Sequence, residues 1–371
     1  MRELELPDVQ DVMLEYRKIK LLYRSALKEI GTKLEILNDE FKLVHQYNPI
    51  EHIESRLKTD EINKLEKSFP DFSFTYSKEK EVTQTMIDNC DILVGNPGKH
   101  VELNRPNLKA ILLNSAGSDY YIQEGVLHAA TRLANASGSY GKAIAEHTIG
   151  MMLALNKNFK NYINNMHEHS WKSYRGGKEI YHSTVIIVGL GDLGYELAKR
   201  LKAFECKTIG IKRNVSPIPR DIDELYTIDK LEEILPHGDF IISCLPQSTE
   251  TINLFNKKRL LMMKSDALFV NVGRGSAVNT QDLKEVLKAG HLYGAALDVI
   301  DPEPFKTDDD LWDFDNVLIT PHVSGGFEWD SVREYFTELT IRNINHLIKN
   351  EPLENEVDFN TGYRKVVKYN D

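Results

Sequence analysis

Arg274, Glu303 and His322 are the residues from which chemistry can be built, because each stands in a polar segment that ends an apolar run. The segments are Asn271-Val272-Gly273-Arg274-Gly275-Ser276, Asp298-Val299-Ile300-Asp301-Pro302-Glu303-Pro304 and Thr320-Pro321-His322-Val323-Ser324-Gly325-Gly326. A planar guanidinium can clamp a carboxylate and polarise a neighbouring carbonyl oxygen. An imidazole can deliver a proton to that oxygen, and a carboxylate behind the imidazole orients it and favours its acid form. A fixed cation, a carboxylate and an imidazole around one cleft suit the reduction of a 2-oxo acid. Taken singly, each has a plainer reading: Arg274 as a helix cap, Glu303 as a solvated turn, His322 as a satisfied surface group.

Such a reduction needs a hydride source, and residues 184–194 offer the place to hold one. Thr-Val-Ile-Ile-Val is the pattern of a parallel strand covered on both faces, and it runs into Gly189, Gly191 and Gly194 in a G-x-G-x-x-G spacing with Asp192 and Leu193 between. The first glycine permits the tight turn, the second lets the backbone approach a pyrophosphate, and the third lets a helix pack closely on the strand. The following helix, expected over Tyr195–Ala203, aims its free N–H groups at the phosphates.

Further apolar runs at 207–211, 240–244, 267–271, 294–299 and 317–320 alternate with helical stretches at 228–235, 257–263 and 280–289, which predicts a doubly wound α/β sheet. In such a sheet ligands sit at the carboxyl ends of the strands, where the three polar segments fall. A second α/β layer is expected upstream: helices at 61–69 and 83–89, with strands at 72–76, 91–95, 107–114 and 131–135. Residues 142–159 read as a helix apolar nearly all round, buried in the core or between subunits, and residues 331–349 as a final helix packing back on the first layer.

Together these motifs carry a resemblance. Residues of about 61–345 resemble the D-isomer-specific 2-hydroxyacid dehydrogenases, on Gly-Leu-Gly-Asp-Leu-Gly at 189–194, Cys-Leu-Pro-Gln-Ser-Thr-Glu-Thr at 244–251, Asn-Val-Gly-Arg-Gly-Ser at 271–276, Asp-Val with Pro-Glu-Pro at 298–304 and Pro-His-Val-Ser-Gly at 321–325. The resemblance implies that Arg274, Glu303 and His322 are the catalytic set. It also implies that Asp298 lies by the nicotinamide, and that Leu245, Pro246, Thr251, Val272, Gly273, Ser324 and Gly325 line the cofactor cleft. The substrate carboxylate would meet backbone N–H groups at Val94-Gly95-Asn96 and near Ala116-Gly117-Ser118, turns that can form an anion nest. The implied architecture is a Rossmann cofactor domain over 138–325 and a smaller flavodoxin-like substrate domain over 61–137 and 326–371.

Residues 8–47 read instead as one long amphipathic helix, with Val9, Val12, Met13, Tyr16, Ile19, Tyr23, Leu27, Ile30, Leu34, Leu37, Phe41 and Val44 in three- and four-residue steps. Residues 6–59 resemble the N-terminal helix of small alarmone (ppGpp) synthetases, most specifically in Asn-Pro-Ile-Glu-His-Ile-Glu-Ser-Arg-Leu-Lys at 48–58. The catalytic segments of that family are absent, so no synthetase activity is implied. The expectation is a helical extension over residues 1–60 that has replaced the opening strand of the first α/β layer.

A balance of 46 basic against 56 acidic residues, net −10, argues against a general nucleic-acid or anionic-membrane binder. Cys90, Cys206 and Cys244 are too scattered for a zinc site or a disulfide framework, and Cys206 and Cys244 read as small buried hydrophobes. No stretch reaches the about 18 apolar residues of a membrane span, and the first residues lack a signal-peptide core, so a cytoplasmic protein is expected. NAD-specific sites carry an acid about 20 residues past the glycine turn. Here Lys212-Arg213-Asn214 follow the second strand and the first acid is Asp221, which favours NADP over NAD. The expected partner is a small 2-oxo or 2-hydroxy acid of the glyoxylate or hydroxypyruvate kind, in a homodimer. The competing readings are a non-catalytic NAD(P)-binding regulator and a fused chain with impaired catalysis.

Overall fold

The apolar runs become strands and the amphipathic stretches between them become helices. The computed structural model describes residues 42–47, 57–214, 216–359 and 365. Its first half contains β1 (Lys42–Tyr47), α1 (Thr59–Ser68), β2 (Ser73–Lys78), α2 (Gln84–Asp88), β3 (Ile92–Val94), β4 (Ala110–Leu112) and β5 (Arg132–Ala134). Helices α3 (Gly141–Asn156) and α4 (Phe159–His167) follow. The second half runs β6 (Thr184–Val188), α5 (Asp192–Leu201), β7 (Lys207–Lys212), β8 (Glu224–Thr227), α6 (Leu231–Ile234) and β9 (Phe240–Ser243). It continues with α7 (Lys257–Met262), β10 (Leu268–Asn271), α8 (Thr280–Lys288), β11 (Gly294–Leu297), β12 (Val317–Ile319) and the long α9 (Asp330–Ile348). Side-chain caps begin several helices: Thr83 accepts from Met86 N, Asn256 from Arg259 N and Asn279 from Asp282 N.

Among the described residues the strands form two parallel sheets. The first has the order β2-β1-β3-β4-β5, and the second β12-β11-β10-β9-β6-β7-β8. Each reverses direction at a switch point, β1/β3 in the first and β6/β9 in the second, so each opens a crevice at its strand carboxyl ends. Strand β6 shows why the second sheet must be covered on both faces. Ile186 and Val188 enter one apolar core, with Phe255 and Phe269, while Val185 and Ile187 enter the other, with Leu197 and Met152. Strand β8, at the sheet edge, has no apolar signal strong enough to be predicted: its Glu-Leu-Tyr-Thr is half-buried throughout.

Two expectations need correction. The helix predicted over residues 8–47 does not extend over the last six of them, because Lys42–Tyr47 is a strand paired with both β2 and β3. Val44 belongs to the helical stripe and, with Leu43, also forms a short apolar run, and a central slot with backbone ladders on either side decides for the strand. The opening strand is therefore present, supplied upstream of residue 61, where the substrate domain was expected to begin. Residues 1–41 and 48–56, which carry the rest of the helical reading and of the synthetase resemblance, lie outside the described residues. The second correction concerns residues 142–159: α3 stops at Asn156, and Asn158, in the left-handed region at φ 58°, starts α4. Helix α3 packs inside the chain, against α5 and α9. Exposed apolar side chains are found instead on α4 and just beyond it, at Phe159, Ile163, Met166 and Trp171. Helix α9 returns to the first layer, where the buried Arg333 meets Glu61 of α1 at 3.4 Å.

Asp239 ties the opposite end of the second sheet. Its carboxylate accepts from Thr184 N at 2.8 Å, Lys178 Nζ at 2.8 Å and Lys264 Nζ at 2.9 Å. Burial pushes its pKa up, but these donors outweigh burial and hold it down at about 2. Depressed below the unfolded value near ~3.9, it stabilises the fold above that pH, and the contribution is lost as pH falls towards about 2. Asp239→Asn should cost about 2 kcal/mol at pH 7 and progressively less as pH drops below ~4. Urea unfolding at pH 7 and pH 3 checks this, and a pH-independent cost would contradict it.

Candidate active site

At the β6/β9 switch point the glycines take three distinct positions. Gly189 turns the chain at φ 102°, and a Cβ there would lie 2.8 Å from Cys244 O, at the end of β9. A Cβ on Gly194 would lie 2.4 Å from Gly189 O, so α5 can approach the strand only with glycine there. Gly191 caps α5 and is different: a Cβ would meet nothing within 4 Å. That open face, in front of a helix N-terminus, fits a pyrophosphate. Asp192 directs its carboxylate at Gly141 N, 3.1 Å away, at the start of α3, and Leu193 packs into the core beneath. Burial pushes the Cys244 thiol up to about 12, and the Cys206 thiol up to about 11. Cys206 is the small buried hydrophobe expected, while Cys244 is half-buried.

The neighbouring loops are drawn together by the same kind of constraint. A Cβ on Gly273 would sit 2.4 Å from Leu245 O, and one on Gly275 2.2 Å from Ile300 O. Between them stands Arg274. Asn271, buried at the end of β10, donates from Nδ2 to Arg274 O at 3.0 Å and accepts from Gly273 N at 3.3 Å. This positioning role went unread in the sequence, although an asparagine ending an all-apolar strand was its signal. The Arg274 guanidinium donates to Gly273 O at 2.9 Å, and its Nη2 reaches across to within 3.0 Å of the place a Cβ on Gly117 would occupy.

Glu303 and His322 are brought together: His322 Nδ1 and Glu303 Oε2 are 2.8 Å apart, and the other carboxylate oxygen accepts from Ile300 N at 3.2 Å. Since a carboxylate only accepts, Nδ1 carries the hydrogen, which leaves Nε2 facing outward from the pair. The His322 backbone is in the left-handed region at φ 54°.

Asp298 follows β11 directly. Its side chain is fully buried, and its carboxylate accepts from Thr320 Oγ1 at 2.6 Å, Val323 N at 3.0 Å, Ser324 N at 3.2 Å and Ser324 Oγ. It holds the segment that carries His322. Thr251 likewise spends its hydroxyl on its own loop, donating to Pro246 O at 2.8 Å and accepting from Ser248 N at 2.8 Å. At the nest expected over Val94-Gly95-Asn96, Gly95 N already donates to Leu112 O at 2.8 Å, and the Asn96 side-chain oxygen accepts from Asn114 N at 3.1 Å. Val272 is buried beneath the cleft and Gly325 packs on Ile144. At the end of β7, Lys212 Nζ donates to Ser216 Oγ at 3.1 Å, and beyond it Arg213 and Asn214 are exposed. Burial and a hydrogen bond with Asp221 raise the Tyr195 phenol, so the first acid after β7 is engaged by α5. Among the described residues no cluster could hold a metal ion, and no helix is long and apolar enough to cross a membrane.

Comparison with known proteins points the same way as this geometry. Residues 149–324 match the model of the D-isomer specific 2-hydroxyacid dehydrogenase NAD binding domain. A glyoxylate reductase of Pyrococcus furiosus is 30% identical over 301 residues, covering 76% of this chain and 87% of that one. An uncharacterized protein of Corynebacterium melassecola is 37% identical over 269 residues, covering 69% and 84%. Among solved structures, an NADPH-dependent glyoxylate/hydroxypyruvate reductase from Sinorhizobium meliloti, in complex with NADP and sulfate, superposes with a TM-score of 0.71 at 25% identity, covering 87% of this chain and all of that one.

The two glycines should separate cleanly on substitution. Gly191→Ala should leave the unfolding midpoint unchanged, since the Cβ enters open space, and should weaken NADPH binding. Gly194→Ala should destabilise the chain by about 1–3 kcal/mol with or without nucleotide. Thermal unfolding read in the presence and absence of NADPH distinguishes them, and equal effects on stability would contradict the assignment.

Proposed function

The chain belongs to the D-isomer-specific 2-hydroxyacid dehydrogenases, NAD(P)-dependent oxidoreductases of the CH–OH group, and on that premise we propose that it reduces a small 2-oxo acid with NADPH, His322 supplying the proton. The observation that carries the reading is the Glu303–His322 pair, 2.8 Å apart, beside the loop that holds Arg274. Gly189, Gly191 and the α5 N-terminus would hold the pyrophosphate, and the bound nicotinamide supplies hydride to C2 of the substrate. Arg274 clamps the substrate carboxylate and draws electron density towards the keto oxygen. Glu303 keeps Nδ1–H of His322 engaged, so Nε2 gives its proton to that oxygen as C2 is reduced. Water returns the proton to the imidazole. The reductases from Pyrococcus furiosus and Sinorhizobium meliloti, named for glyoxylate and for glyoxylate/hydroxypyruvate, support glyoxylate or hydroxypyruvate as the substrate.

The preference for NADP rests on Lys212 and Arg213, two cations where a carboxylate would repel a 2′-phosphate. For assembly, the exposed Phe159, Ile163, Met166 and Trp171 suit a homodimer joined through α4. Trp171→Asp should then sediment as a monomer at concentrations where the parent is a dimer, and an unchanged mass would sink that surface.

Steady-state oxidation of NADPH and NADH with glyoxylate and hydroxypyruvate tests the function. His322→Ala should lose at least ~100-fold in kcat. Replacing Lys212 and Arg213 together by Ala should raise KM for NADPH far more than for NADH. A His322→Ala variant as fast as the parent would overturn the proton donor, and equal KM changes would overturn the cofactor preference.

A further inference from the structure

His147 belongs to none of the motifs above, yet it touches the network that fixes His322. It stands half-buried on α3, with Nε2 at 3.1 Å from Thr320 Oγ1 and 3.8 Å from Asp298 Oδ1. The Thr320 hydroxyl has one proton, and its 2.6 Å bond to the acceptor-only carboxylate of Asp298 uses it. The Thr320 oxygen therefore turns lone pairs towards His147, and Nε2 must carry hydrogen. That donation also keeps the hydroxyl from its other neighbour, the Met151 sulfur at 3.9 Å, one turn further along α3.

The consequence reaches the reacting end of the fold. His322 holds a left-handed backbone conformation, at φ 54°, which a residue with a Cβ keeps only where its surroundings impose it. Those surroundings are Asp298: its carbonyl accepts from His322 N at 2.8 Å, and its carboxylate accepts from Val323 N and Ser324 N. We propose that His147 is a positioning residue for the reduction, acting through Thr320 and Asp298 to hold the Thr320–Ser324 segment and with it the His322 imidazole. This rests on the reading of His322 as proton donor given above. Glycine-turn binding of the nucleotide lies on β6 and α5 and is independent of it. Loss of His147 should therefore reach kcat and leave cofactor affinity intact. A glutamine amide nitrogen can stand in for Nε2–H, whereas alanine leaves the Thr320 hydroxyl free to turn.

The experiment uses the full chain labelled with [15N]histidine, with His322→Ala identifying the His322 ring signals. His147→Ala should shift or broaden those signals and lower kcat by up to ~100-fold, with Kd for NADPH within about twofold of the parent's. His147→Gln should restore both. Thr320→Val should reproduce the His147→Ala loss, and the double variant should lose no more than either alone; Thr320→Val also serves if His147→Ala proves unstable on thermal unfolding. Unmoved His322 signals together with parental kcat in His147→Ala would overturn the inference. If the parent reduced no 2-oxo acid while His147→Ala still moved the His322 signals, the functional reading would fall and the positioning link would stand.

Discussion

A buried carboxylate organises the end of the second sheet that carries Glu303 and His322. Isolated from water, the charge of Asp298 is tolerable only because donors surround it. All four donors to the carboxylate come from Thr320, Val323 and Ser324. The segment between β12 and α9 is thus folded around one anion, and His322 takes its unusual backbone conformation as a result. Glu303 then only has to meet an imidazole that is already in place, while Ile300 N fixes its second oxygen.

Close approach of backbones does the rest. The loops after β6, β9, β10 and β11 converge because Gly189, Gly194, Gly273 and Gly275 leave no Cβ where a neighbouring carbonyl stands. Gly191 marks the exception, open at the helix N-terminus, and that contrast separates a glycine kept for packing from one kept for a ligand. The first sheet faces this assembly through the loop after β4, where Gly117 meets the Arg274 guanidinium. Completing that sheet with β1 removes the main physical ground for expecting impaired catalysis, since the central ladder is intact on both sides.

The second sheet was largely legible from the chain because its strands are buried on both faces and so read as unbroken apolar runs, each ending in a polar motif. Arg274, Glu303 and His322 were legible for the same reason, each following such a run. What escaped depends on partners far apart in sequence. The 2.8 Å bond from Gly95 to Leu112 and the burial of Asp298 beneath Thr320 have no local pattern. His147 was hidden inside a helix whose apolar periodicity dominated the reading. The strand at 42–47 escaped because Val44 falls in the helical stripe as well as in the short apolar pair Leu43-Val44, and only pairing between β2 and β3 distinguishes the two readings.

The most direct test of hydride delivery to a 2-oxo acid at this cleft is the fate of deuterium from NADPH carrying deuterium at both C4 positions, during reduction of hydroxypyruvate. One deuterium at C2 of the D-2-hydroxy acid for each NADPH oxidised is the expected result. Protium at C2, or a product of the opposite hand, would contradict it.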